Sequence, residues 1–146
     1  MRKRNKKYRP KPVRGNMFVA GYRILYPLEA ILRRMEIDGT IESTPDGRAV
    51  FDDGEEVYEV VPALNGLIHW LEICSSQTGA KIDLTPLTQL NNQLNYQMPI
   101  TEAVFTACKQ LMPTLRRLVS LMPADLAQRN MRTVQISSYI HVGTKL

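Results

Sequence analysis

Apolar side chains recur at Ile24, Leu25, Leu28, Ile31, Leu32 and Met35, the spacing of a helix with one buried face. Pro27 lacks an amide hydrogen and fits a first turn, so this run predicts a helix over about Pro27–Glu36, stopped at Asp38-Gly39. A longer run follows through Val57, Val60, Val61, Leu64, Leu67, Ile68, Leu71 and Cys74, ending near Thr78-Gly79. Trp70 and Ile73 widen its apolar face, which predicts a central helix. Asp53 and Glu56 stand before it at capping-box spacing. Pro62 leaves two alternatives: a kinked helix, or an extended Glu56–Val61 with the helix starting at Pro62.

Thr85-Pro86 joins a cap to a first-turn proline. Leu87, Leu90 and Leu94 then give the stripe of a third helix, stopped by Pro99. Val104, Cys108, Leu111, Leu115, Leu118 and Met122 alternate steps of four and three, a heptad seam over about Ile100–Met122. Pro113 predicts a kink, so a packed bundle helix suits this segment better than a coiled coil. Pro123-Ala124-Asp125 opens a last helix reaching about Arg129. Beyond it Val134, Ile136, Ile140 and Val142 fall on even positions, the period of a strand, with a helix through Tyr139 as the alternative.

Between the first two helical runs, Thr40–Ser43 and Arg48–Phe51 flank Thr44-Pro45-Asp46-Gly47. Proline presets φ and glycine accepts positive φ, so the segment reads as a β-hairpin. The expected fold is mainly α: a small helical bundle over residues 17–146 with one short hairpin. The length of 146 residues and 44% apolar content suit one core, and no internal repeat is present.

Charge changes this picture at the N-terminus. Eight of the nineteen Lys and Arg residues lie within the first sixteen positions, with no acid among them. The remainder holds eleven bases against fourteen acids, a net of −3, so the basic pI of 9.4 belongs to residues 1–16. Met1 and Tyr8 are the large side chains there, too little apolar surface to offset chain entropy. Like charges extend such a segment, and Pro10 and Pro12 favour polyproline geometry around Lys11. Residues 1–16 are therefore expected to be a disordered basic arm.

The arm carries the strongest candidate chemistry. Arg2, Lys3, Arg4, Lys6, Lys7, Arg9, Lys11 and Arg14 suit the release of counterions from nucleic-acid phosphates. Tyr8 can stack on an exposed base, and Arg4 or Arg9 can enter a minor groove. Rival readings are a solubilising tail, a tail that orders only within an assembly, and a tail that docks on an acidic protein surface. A weaker pattern is the pair of helices 86–95 and 100–122 joined by Tyr96–Pro99, the layout of a helix-turn-helix. The amides Gln89, Asn91, Asn92, Gln93 and Asn95 can bond adenine edges or a protein, but they precede the link, on the wrong helix for recognition.

Enzymatic chemistry finds little footing. There is no nucleophile elbow, no phosphate loop and no G-x-G-x-x-G. Paired carboxylates at Asp52-Asp53 and Glu55-Glu56 flank a turn, and with Asp46 they miss the EF-hand spacing. A zinc site would need His69, Cys74, Cys108 and His141 to converge without paired local spacing. The cysteines fall on buried stripes, where a small apolar thiol is ordinary, and His69 falls on a polar side. The expectation is a non-enzymatic protein without metal or cofactor. No apolar N-terminal run and no stretch of ~18 apolar residues occurs, so a cytoplasmic protein that avoids the membrane is expected.

The opening Lys3-Arg4-Asn5-Lys6-Lys7-Tyr8-Arg9-Pro10-Lys11-Pro12-Val13 resembles the start of small uncharacterised proteins encoded by bacteriophages and prophages of Gram-negative bacteria. The resemblance implies a viral accessory or regulatory protein in the cytoplasm of a bacterial host, and it carries over no activity and no site residues. The sequence reading is thus an accessory protein whose arm touches DNA or RNA. Its helical body would bind a host or phage protein, or itself. The alternative is a protein-binding inhibitor of a host system without nucleic-acid contact.

Overall fold

Helix α1 (Tyr26–Asp38) opens the fold with Pro27 in its first turn and buries Leu28, Ile31 and Leu32. Gly39 closes it at φ 76, a left-handed position that glycine adopts without a Cβ clash, and its N–H returns to Met35 O. The computed structural model describes residues 24–52 and 57–145, with 135–145 described as backbone. The expected arm and the capping pair Asp53/Glu56 lie outside the described residues.

The chain next forms a small meander. The predicted hairpin is present as a bridge between Ser43 and Ala49, closed by Thr44 N–H to Arg48 O (2.8 Å) and Val50 N–H to Glu42 O (3.0 Å). Gly47, at φ 93, makes the turn. Strand β1 (Val50–Asp52) also pairs on its other side with β2 (Val57–Glu59), antiparallel, setting Phe51 opposite Tyr58. Those rings stack at 5.5 Å, and Tyr26 of α1 approaches Phe51 at 6.1 Å, which fastens the strands to the helix.

Helix α2 (Val60–Thr78) starts directly from β2. Glu59 is extended at φ −78, ψ 136, and Pro62 falls in the first turn, where its missing N–H has no intrahelical partner to lose. Of the extended alternative for Glu56–Val61, Val57–Glu59 is extended, the helix already begins at Val60 rather than Pro62, and Glu56 lies outside the described residues. Val60, Ala63, Leu64, Leu67, Trp70, Leu71 and Cys74 are buried, and α2 touches α1, β2, α3 (Thr85–Asn95) and α5 (Ala124–Lys145), so it is the central helix.

Helix α4 (Glu102–Leu121) packs on α3 and α1. Thr101 caps it, its hydroxyl accepting from Val104 N–H at 3.3 Å. The helix runs through Pro113, which sits on the exposed side. The heptad reading is widened by Met112 and Val119, both buried beside Cys108, Leu115 and Leu118, while Leu111 is only half-buried.

The strand expected after Arg129 is absent: α5 continues to Lys145, as the helical alternative had it. Ala127, Asn130, Met131 and Val134 repeat at helical spacing, and their burial extends the inner face past Arg129. Trp70 Nε1 donates to Ala127 O at 3.1 Å, and Asn130 and Gln77 exchange amide hydrogen bonds at 2.8 and 3.3 Å, fixing α5 against α2.

Candidate nucleic-acid interface

The predicted contact residues Arg2, Lys3, Arg4, Lys6, Lys7, Tyr8, Arg9, Lys11 and Arg14 all lie outside the described residues. The body has its own charge architecture, which its net of −3 conceals. Residues 24–102 carry thirteen acids and four bases. Residues 103–146 carry six bases, Lys109, Arg116, Arg117, Arg129, Arg132 and Lys145, and the single acid Asp125. The sequence contained this signal; summing the body as one block erased it.

Two bases of α4 meet the acidic part of the body. Lys109 Nζ lies 2.5 Å from Glu36 of α1, and Arg116 reaches Glu29 at 3.2 Å. These pairs lie at the rim of the α1–α4 contact, where solvent screens them. Arg117, Arg129 and Arg132 are exposed and form no ion pair among the described residues.

The helix-turn-helix pattern gains little from the geometry. The connector spans 96–101 and passes through Gln97 at φ 56, and the Gln97 side chain rests against Gly47 of the hairpin turn. Helix α4 begins with Glu102, and its Lys109 is tied to Glu36, so the end that would read a groove has acids beside it. The amide face of α3 is also partly spent inside the fold. Asn91 is buried and donates to Asn65 Oδ1 at 2.8 Å, while Gln93 Oε1 accepts from Thr101 N–H. Gln89, Asn92 and Asn95 remain exposed.

The thiols are buried on separate helices. Cys108 donates to Pro86 O at 3.3 Å, and burial pushes its pKa up to about 11. Burial also raises Cys74, partly offset by the Asn130 amide, which donates to its sulfur at 3.4 Å. Neither is poised as a nucleophile. His69 is half-buried on α2. Among the described residues no three His, Cys, Asp or Glu side chains gather as a metal site requires, and no helix is long and apolar enough to cross a membrane.

The hairpin turn has dense polar chemistry of local purpose. The Thr44 hydroxyl donates to Asp46, Arg48 Nε reaches the same carboxylate at 3.1 Å, and another Arg48 nitrogen reaches Glu59 at 2.8 Å. The Thr44 hydrogen bond, then that of Arg48, holds the Asp46 carboxyl below the usual range. Between α1 and the strands lies an open cavity of about 270 Å³, lined by the buried Ile31 and Phe51 and by the exposed Arg33, Ile37, Glu42 and Asp52. Its mixed rim favours neither sign of ligand. Comparison with protein-family profiles, curated proteins and solved structures gives no match to this chain.

Proposed function

We propose that this protein is a non-enzymatic accessory or regulatory protein that contacts nucleic acid through residues 1–16 and a protein partner through its helical body. The observation that carries the reading is the charge density of the arm: eight bases, one tyrosine and no acid in sixteen residues. The resemblance of Lys3–Val13 to phage-encoded proteins supports a setting in a bacterial cytoplasm. Protein contact by the body is supported by Tyr96 and Met98, 69% and 54% exposed on the α3–α4 connector, and by the exposed amides of α3.

Binding of the full chain to mixed-sequence DNA and RNA, with and without substitution of Lys3, Arg4, Lys6 and Lys7 by alanine, tests the arm. Log affinity should fall against log salt with a slope of about −0.7 to −0.9 per phosphate contact, and the substitutions should flatten it equally for all sequences. Tyr8→Ala should cost about 1–3 kcal/mol on single strands and little on duplex. A full chain that ignores both nucleic acids but captures a protein returns the alternative, an inhibitor whose arm docks on an acidic surface.

A further inference from the structure

The outer surface of α5 and the end of α4 carry three arginines that the fold does not use. Ala127, Asn130, Met131 and Val134 face inward, which turns Gln128, Arg129, Arg132 and Thr133 to solvent. Arg129 and Arg132 are one turn apart on that face. Asp125, one turn before Arg129, makes no ion pair with it. Arg117 stands on the exposed side of α4, with Thr114 and Ser120 exposed beside it. At 1.5 Å per residue, Arg117 lies about 7 Å back from the Met122-Pro123 corner and Arg132 about 14 Å beyond it. Among the described residues Arg33 and Lys81 also lack an ion pair, and they have Glu29, Glu36 and Asp83 as near neighbours in sequence, as Arg129 has Asp125. Arg117, Arg129 and Arg132 are, among the described residues, exposed cations without an ion pair, and Asp125 is the one acid on α5.

We propose that this surface, centred on Arg117, Arg129 and Arg132, binds the phosphate backbone of nucleic acid independently of the N-terminal arm. It deepens the nucleic-acid reading above but rests on different residues. Guanidinium groups engage phosphate oxygens through paired N–H donors, and the interspersed Thr114 and Gln128 offer further donors that position a backbone, while the Ser120 and Thr133 hydroxyls donate to Arg117 O and Arg129 O of their own helices. A protein partner would call for large apolar side chains between the charges; among the described residues of 114–134 the large apolar side chain that stands exposed is Leu121, at the edge of the α4 end. A duplex presents a charge about every 1.7 Å, so cations within about two and a half turns of one corner meet several phosphates together.

The test uses the full chain and a mixed-sequence duplex of about 25 base pairs, with affinity measured from about 50 to 300 mM salt. The triple substitution of Arg117, Arg129 and Arg132 by Gln should make the log–log slope shallower by about 2–3, and the triple substitution by Lys, which keeps the charge, should leave it unchanged. R132Q alone should remove about 0.9, which keeps the test open if the triple variant melts early. A Gln triple with the unaltered slope, beside an arm variant that loses binding, overturns this surface and leaves the arm reading standing. The reverse pattern supports the surface and removes the arm. No duplex binding by the full chain overturns this surface, while the arm reading falls only if single strands are ignored as well; retention on polyglutamate without duplex binding, lost in the Gln triple, assigns the arginines to an acidic protein instead.

Discussion

Cys108 shows how burial alone settles the chemistry of a group. Its side chain is wholly buried and its thiol titrates near 11, against an ordinary value of 9.0. The folded pKa is the higher one, so the stability this group contributes is complete below pH 9.0 and is lost as pH rises toward 11. We expect unfolding midpoints to fall over that alkaline window and Cys108→Ala to flatten the fall. Neither thiol should react with a disulfide reagent in the native protein near neutral pH, and both should react at once in denaturant. Rapid labelling of Cys108 in the native state would mean that α4 opens locally. Leu115, wholly buried on the same helix, should cost about 2–5 kcal/mol on truncation to alanine, measured by denaturant melts. A silent substitution would place that side chain outside the core.

The elements differ in how openly the sequence declares them. Helices α1 and α2 were legible to within a few residues because their apolar periodicity ends at Gly39 and Gly79, both in the left-handed region. The turn at Thr44–Gly47 was legible for the same reason, since Gly47 occupies φ 93. There alanine would be strained, and Gly47→Ala should destabilise by about 1–3 kcal/mol while the Gln97 side chain moves aside. A melt unchanged by that substitution would mean the turn relaxes freely. Strand β2 was ambiguous because Val57, Val60 and Val61 fit a strand or a helix equally, and pairing with β1 decided between them. The continuation of α5 past Arg129 was misread because Asn130, Met131 and Val134 are buried on a face whose partner, α2, is more than fifty positions away along the chain, and local alternation knows nothing of it. The capping of α4 by Thr101 was also missed, having no acidic residue at the capping-box position; Thr101→Ala should cost about 0.5–2 kcal/mol in a denaturant melt.

At the scale of the molecule, charge is arranged as blocks: a basic arm, an acidic stretch over 24–102 and a basic C-terminal pair of helices. The proposed contact residues differ in legibility: the basic character of residues 1–16 is read from composition and lies outside the described residues, while the exposure of Arg117, Arg129 and Arg132 emerges only when burial shows which sides of α4 and α5 face water. Within the body the blocks touch through Glu36–Lys109 and Glu29–Arg116, the pairs that join α1 to α4. Each is partly exposed, and such pairs are worth about 0–1 kcal/mol, less in salt. The core beneath them, Leu28, Ile31 and Leu32 of α1 with Cys108, Met112 and Leu115 of α4, is insensitive to salt screening. Fold and binding should therefore respond differently to ionic strength. Between about 50 and 300 mM salt the melting temperature should move by no more than ~5 °C, because a loss of about 1 kcal/mol shifts a domain of this size by only a few degrees. Over the same range duplex affinity should fall by orders of magnitude if six or more phosphates are met. Parallel thermal melts and binding titrations in one buffer series check both at once. A melting temperature that collapses with salt would show that the α1–α4 ion pairs, rather than the shared apolar seam, hold those helices together. The loss of duplex affinity would then have to be measured below the melt before it could be assigned to phosphate contacts.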